Sequence, residues 1–298
     1  GIAWYSPTIF FGPLIRWLKK RSGCRSYLIL RDLFPDWAVD TGVMRRGPAY
    51  YLLKRVERQQ YRVADIIGVQ TPANLPYLQR WSQGDNRRIE VMHNWLAVID
   101  TQADADLPVL RRLDGKTVFV YAGNMGHAQG MDCLIELAEA LREDGDAAFL
   151  FVGRGSEVPR LKQLVEARSL DNVIFHEEVE PAQLPAILAR CDVGLLALDL
   201  RHTTHNIPGK FLTYLNARLP VLERVNPGND LIDLIDTHSV GFVSTDESTR
   251  ELCKYATKLL AGPALRRDMG RRGGELAETM FRVELAATQL VAGLRDGN

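Results

Sequence analysis

The chain has 298 residues, enough for one large α/β domain or two of medium size. Its hydrophobic (46%) and charged (25%) fractions are those of an ordinary soluble globular protein. Lys+Arg and Asp+Glu balance at 37 each, so no global field draws in nucleic acid. The four cysteines, Cys24, Cys133, Cys191 and Cys253, stand far apart without a CxxC pair. That excludes a disulfide framework or zinc site of recognisable spacing and predicts reduced thiols in a cytoplasmic protein.

Along the chain, Tyr27–Leu30 (YLIL) is a short apolar run suited to a strand buried on both faces. Ala64–Val69 (ADIIGV) and Ile89–Met92 (IEVM) look alike, each after helix-like sequence. Thr101–Asp106 (TQADAD) interrupts with small polar residues and marks the expected linker. Beyond it the alternation is regular: Val118–Tyr121 (VFVY) predicts a strand, and Leu134, Leu137, Ala138 and Leu141 fall at helical spacing. Phe149–Val152, Val173–Phe175, Val193–Leu198, Pro220–Leu222 and Gly241–Val243 continue the series with amphipathic helices between the earlier members. Strand and helix alternating at this interval predict doubly wound α/β structure with parallel sheets in two domains, and a mostly helical C-terminus.

In such sheets ligands sit beyond the carboxyl ends of the strands, where glycine-bearing turns lead into helices. Two turns fit. Tyr121–Gly130 (YAGNMGHAQG) follows VFVY, and its Gly123, Gly126 and Gly130 permit close approach of a ligand to a helix start suited to phosphate. Val152–Gly155 (VGRG) repeats the arrangement one unit later. Glycines after strands also simply make tight turns, but two on successive units favour a nucleotide. Neither matches the dinucleotide or P-loop fingerprint. A third segment, His202–Tyr214 (HTTHNIPGKFLTY), places Pro208 and Gly209 at a helix opening with Lys210 in its first turn. A lysine there opposes the helix dipole, which anion binding would explain; a solvated surface lysine is the other reading. His202 and His205 have no carboxylate or thiol in the segment to complete a metal site, so no metal is expected.

Taken in order, YAGNMGHAQG, FLFVGRGSEVPRLKQLV, NVIFHEEVEPAQLPAILARCDVGLLAL and NIPGKFLTYLNARLPVL resemble the donor domain of family 4 glycosyltransferases. These have the GT-B architecture of two Rossmann-like domains, and the likeness is to the bacterial O-antigen and capsule branch, including the N-acetylfucosamine transferases. The resemblance implies that residues 1–100 are the C-terminal part of the acceptor-side domain and 107–275 the donor-binding domain. Residues 276–298 would be a C-terminal helix packing back toward the first domain. The chain would start at the family's fourth strand, Ile2–Tyr5, followed by a helix from about Thr8 to Lys20, with roughly 90 residues missing before it at ~30 per unit.

Carried onto this sequence, the resemblance places Gly123, Asn124 and Gly126 at the donor diphosphate and Gly153 and Arg154 beside the nucleotide. Glu178 and Val179 fall where main chain contacts the base, and Asn206, Pro208, Gly209 and Lys210 where sugar and phosphates are held. Two departures stand out. The family's paired glutamates, eight positions apart, read His205 and Thr213 here, and its turn lysine reads Gln129. Lys210 would supply the missing positive charge. Asp32, in Arg31–Pro35 (RDLFP), matches an active-site position facing the donor; a helix cap before Phe34 is its other reading. The function implied is metal-free, retaining transfer from a UDP-sugar to a lipid-linked saccharide in lipopolysaccharide, O-antigen or capsule biosynthesis, with no cofactor. A non-catalytic UDP-sugar-binding module and a GT-B epimerase are the alternatives. Ile9–Arg21 mixes aromatic with basic residues, which suits a helix packed on its sheet for most of them, while its basic end suits peripheral contact with the inner face of the cytoplasmic membrane.

Overall fold

A computed structural model of the chain describes residues 1–6, 8–40, 42–79, 87–96, 108–201 and 207–295. The chain divides into two compact units, Gly1–Trp95 with Arg201–Ile207 and Met280–Asn298, and Leu96–Leu200 with Pro208–Thr279. The linker expected at Thr101–Asp106 lies outside the described residues.

The first unit runs β1 (Ile2–Tyr5), α1 (Gly12–Ser22), β2 (Ser26–Leu30), α2 (Asp36–Asp40), α3 (Pro48–Val63), β3 (Ile66–Val69), α4 (Leu75–Gln79) and β4 (Arg88–Val91). The sheet follows chain order and all its strands are parallel. β2 is buried at every residue, as the unbroken apolar run requires. The first helix starts at Gly12 rather than near Thr8. Pro13 lacks an N–H and fits only the first turn, which fixes the start; Gly23, at φ 65°, ends the helix in a left-handed cap. α13 (Val283–Arg295) packs on this sheet through Gly293, where a Cβ would come 2.9 Å from Ile66 and 3.2 Å from the Tyr27 ring. Gln289 anchors the same helix to Glu90 and the Val91 carbonyl at 2.9 and 2.8 Å. Lys54 is buried among Asp36 (2.9 Å), Glu57 and Tyr77, while Tyr50 donates to Asp36 and Tyr61 to Glu57. This cluster ties α2 and α4 to α3.

The second unit runs α5 (Pro108–Arg111), β5 (Thr117–Ala122), α6 (Asp132–Ala140), β6 (Ala147–Val152), α7 (Val158–Ala167), β7 (Val173–His176), α8 (Leu184–Leu188), β8 (Val193–Ala197), α9 (Gly209–Asn216), β9 (Val221–Arg224), α10 (Asp230–His238) and β10 (Gly241–Ser244). α11 (Arg250–Ala261) and α12 (Pro263–Met280) follow, giving the helical C-terminus expected. Its parallel sheet has the order β10-β9-β8-β5-β6-β7, and its core includes the stacked rings of Phe119 and Phe149, 5.0 Å apart.

One residue of this sheet contradicts its surroundings. Glu223, on β9, is fully buried, and among the described residues neither carboxylate oxygen has a hydrogen-bond partner. Burial pushes its pKa up to about 8, so the folded chain holds it protonated at neutral pH while the unfolded chain ionises it near 4.5. The folded state therefore binds the extra proton between those values, and its stability falls as pH rises from about 4.5 to about 8. Glu223→Met, similar in size and apolar, should stabilise the fold by about 1–3 kcal/mol at pH 8 and by less at pH 5. Thermal melts of both proteins across that range check this; parallel curves would show that the carboxyl is not protonated by folding.

Candidate functional site

The strand order of the second sheet reverses between β5 and β8, so the connections leaving them part and open a crevice beyond their carboxyl ends. Those connections are Gly123–Gly130 and the approach to α9. Of the latter, His205 and Asn206, together with His202, lie outside the described residues. Pro208 is extended (φ −61°, ψ 142°) and sets the start of α9 at Gly209.

Lys210, in the first turn of α9, lies against the β5 turn. A Cβ on Gly123 would meet Lys210 Cε at 2.7 Å, and Gly123 holds φ at 136°, so only glycine serves there. The ammonium stands 5.0 Å from the centre of the Tyr121 ring. The side chain is half-buried rather than the exposed lysine a surface reading implies, and desolvation lowers its pKa from 10.5 to about 8. Gly209, by contrast, is exposed: an added Cβ would touch none of the described residues within 4 Å.

The turn amides expected to cradle a diphosphate are mostly committed within the chain. Gly123 N donates to Val152 O (2.8 Å), Met125 N to Arg154 O (2.8 Å) and Gly126 N to Gln129 Oε1 (2.8 Å). Asn124 is exposed, and its side chain also donates to Gln129, at 3.3 Å. Gln129 is thus the turn's internal clasp. Tyr121 Oη donates to Asn124 O at 2.6 Å and holds the turn from below. The first two amides of α9, Gly209 and Lys210, are those any helix start leaves without intrahelical acceptors.

The second turn owes its glycines to the first. A Cβ on Gly153 would lie 2.2 Å from Gly123 O, and one on Gly155 would lie 2.1 Å from Met125 O. Backbone packs on backbone here, so these glycines fit the neighbouring turn rather than a ligand. Beyond them Gly153, Arg154, Lys162, Phe175, His176 and Glu178 line a cavity of about 420 Å³ at the carboxyl ends of β6 and β7. Arg154 and Glu178 pair across it at 3.0 Å, both largely exposed, so the pair is weak and can open. Val179 follows Glu178 in the same connection, half-buried. Thr213 is a turn beyond Lys210's own turn of α9; its hydroxyl donates to Gly209 O at 3.0 Å, and it lines a small groove against α8.

In the first unit, Asp32 follows β2 at the carboxyl edge of its sheet. Ser6 Oγ accepts from the amides of Arg31 (2.7 Å) and Asp32 (3.2 Å), and burial raises the Asp32 carboxyl's pKa. α2 begins at Asp36, so Asp32 does not occupy its cap position. Arg31 is buried, donates to Met92 O (3.0 Å) and His93 O (3.1 Å), and lies 4.5 Å from the Trp95 ring centre. Tyr121 and Tyr214 were not singled out from sequence, although both sit on or directly after the motifs that were.

The family model for glycosyl transferases group 1 matches residues 103–275. WbjE of Pseudomonas aeruginosa, described as a probable glycosyltransferase, is 26% identical over 262 residues, covering 84% of this chain and 64% of WbjE. WcaI of Escherichia coli, named for colanic acid biosynthesis, is 28% identical over 219 residues, covering 70% of this chain and 53% of WcaI. The chain therefore spans somewhat more than half the length of these curated relatives. Anabaena HepE, solved in complex with UDP, superposes with a TM-score of 0.77 at 16% identity, covering 99% of this chain and 78% of HepE. That likeness shows the fold, two Rossmann-like parallel sheets of GT-B type. With more than half its residues matched by the family model, the chain belongs to the group 1 glycosyl transferases.

Proposed function

We propose that this protein is a retaining transferase that takes a sugar from a UDP-linked donor without a divalent cation. The acceptor is a lipid-linked saccharide at the inner face of the cytoplasmic membrane, in lipopolysaccharide, O-antigen or capsule assembly. The observation that carries this reading is Lys210, a half-buried ammonium at a helix start with an aromatic ring and a glycine as its close neighbours. Helix dipole and desolvation both disfavour a cation there, and a bound diphosphate relieves both.

As the bond from the anomeric carbon to the diphosphate oxygen breaks, negative charge grows on the departing UDP. Lys210 and the amides opening α9 meet that charge already oriented, so they stabilise it with little reorganisation. The acceptor oxygen bonds to the same face of the anomeric carbon, and Asp32 orients or deprotonates its hydroxyl, or stabilises the oxocarbenium-like centre. A cavity of about 420 Å³ beside Gly153 and Glu178 suits a nucleoside in size. The relationship to WcaI, named for colanic acid biosynthesis, supports polysaccharide assembly as the setting.

UDP should raise the melting temperature equally with and without chelator; a strict magnesium requirement would contradict metal-free binding. Lys210→Ala should weaken UDP binding by about 1.5–3 kcal/mol, roughly ten- to hundredfold in Kd, in a protein that still folds. An anion raises the pKa of the lysine it meets, so binding takes up a proton once the free group deprotonates. UDP affinity should hold below about pH 8 and decline above it, and Lys210→Met should flatten that profile in calorimetric titrations. Asp32→Asn should lower sugar transfer by about 10²–10⁴-fold while leaving UDP affinity intact. UDP binding without transfer would point to a donor-binding module, and an isomerised UDP-sugar to an epimerase.

A further inference from the structure

Arg224 ends β9, and the contacts it makes within the fold do not account for its charge. The residue is half-buried, and its Nε is shut from solvent without an acceptor among the described residues. Its hydrogen bond there runs from Nη2 to Gly130 O at 3.3 Å, a long contact to a carbonyl that also accepts from Cys133 Sγ at 3.4 Å. No carboxylate among the described residues pairs with it. Asp132, two residues beyond Gly130, is turned to Arg160, which holds both its oxygens at 2.7 and 2.8 Å. Asp199 approaches Gly130 through main chain, its Cα 3.3 Å from where a Cβ on that glycine would stand. Glu223, the preceding residue, points to the opposite face of the sheet and keeps its proton. A guanidinium drawn partly out of water without a counter-ion is unfavourable unless a charge arrives from elsewhere.

The sheet supplies a distance scale for that charge. Along the order β9-β8-β5-β6-β7, the cavity that suits a nucleoside lies at the ends of β6 and β7, and Lys210 lies over the end of β5. The direction from nucleoside to diphosphate therefore runs toward β9. With strands ~4.8 Å apart, β9 stands about 7 Å beyond the middle of the β5–β8 crevice. The part of a nucleotide-sugar that follows the diphosphate in that direction is the sugar ring with its substituents. Both cations border one connection: Lys210 meets its first glycine, Gly123, and Arg224 meets its last, Gly130. Gly130 holds φ at 55°, and a Cβ there would come 3.5 Å from Arg224 Nη2, so glycine leaves room for the guanidinium to reach the turn.

Resting on the UDP-donor reading above, we propose that Arg224 recognises a carboxylate on the transferred sugar, so that the donor is a UDP-linked uronic acid. A carboxylate is ionised at neutral pH and accepts two parallel N–H bonds from the planar guanidinium fork, the strongest match an arginine makes. Sugar hydroxyls are matched as well by neutral amides, which carry no charge to desolvate, so a neutral sugar gives no reason for a half-buried cation at this place. The diphosphate is met nearer β5, by Lys210 and the start of α9. Arg224 thus distinguishes among sugars, and Lys210 serves whatever nucleoside diphosphate carries them.

Calorimetric titration of the full chain with UDP, UDP-glucose and UDP-glucuronic acid tests this, because the two sugars differ only in a hydroxymethyl against a carboxylate. UDP-glucuronic acid should bind about ten- to hundredfold more tightly than UDP-glucose, the range for hydrogen bonds to charged groups. Arg224→Gln should erase that preference and leave UDP affinity unchanged. Arg224→Lys keeps the charge but not the fork, and should retain part of the preference. Lys210→Ala should weaken all three ligands alike and leave the preference intact. Thermal melts establish that the variants fold; should Arg224→Gln not fold, the wild-type preference and Arg224→Lys decide. Equal affinity for the two UDP-sugars, or a preference that survives Arg224→Gln, overturns the assignment. So does a loss of UDP affinity in Arg224→Gln, which would put the guanidinium on the diphosphate. A wild-type chain that binds none of the three ligands removes the UDP-donor reading itself, and this one with it.

Discussion

The seating of Tyr214 against the sheet determines the geometry of the crevice. A Cβ at Gly194 on β8 would fall 2.4 Å from the Tyr214 ring, so the missing side chain lets α9 settle directly on the strand. Tyr214 Oη then accepts the Ala122 N–H at 2.8 Å, joining the helix to the end of β5 across the point where strand order reverses. Lys210 lies four residues earlier, one turn away on the same helix face. It therefore falls over Tyr121 and the Cα of Gly123. The position of the cation is a consequence of a glycine sixteen residues before it in the chain. A larger residue at 194 would lift α9 and move the ammonium without touching it.

The same economy of close contacts joins the first two turns. Gly123, Gly153 and Gly155 sit at φ of 136°, 139° and 156°, values that L side chains rarely adopt. With no side chains between them the turns exchange main-chain hydrogen bonds, Met125 N to Arg154 O and Glu157 N to Met125 O. The result is a double-layered rim that is rigid because its polar groups are satisfied internally. Rigidity has a consequence for recognition. A rim whose amides are mostly bonded is poor at holding phosphate, so the electrostatic work shifts to the helix start opposite, with its first-turn amides and its cation.

Much of the fold was legible in the residues because strands buried on both faces announce themselves. YLIL, VFVY, FLFV and VGLLAL each became a strand within two residues of its expected bounds. Less legible were the helix starts, where Pro13 moved α1 several residues from its expected beginning. In the site, sequence located the right turns but not what their glycines are for. Gly153 reads as room for a ligand and turns out to be room for the carbonyl of Gly123, a contact across thirty residues that spacing cannot reveal. Nor could sequence tell a solvated Lys210 from a desolvated one, because its burial depends on Gly194 and Gly123, both remote in the chain.

Three buried or half-buried charged residues show why Lys210, among perturbed groups, is the one that points to a ligand. Burial alone does not mark function, since structural clusters shift protonation as well. Lys54 is enclosed by Asp36, Glu57 and Tyr77, so its charge is matched within the fold and its task is to hold three helices. Glu223 has no partner among the described residues and no access to solvent, so it resolves its burial by keeping a proton. Neither can greet a molecule from outside. Lys210 keeps part of its surface in water beside an open Gly209, and its lowered pKa, near 8, still leaves it mostly charged at neutral pH. A cation that remains ionised, stands against a quadrupole and has no carboxylate partner among the described residues is matched when an anion enters from solvent at the helix start.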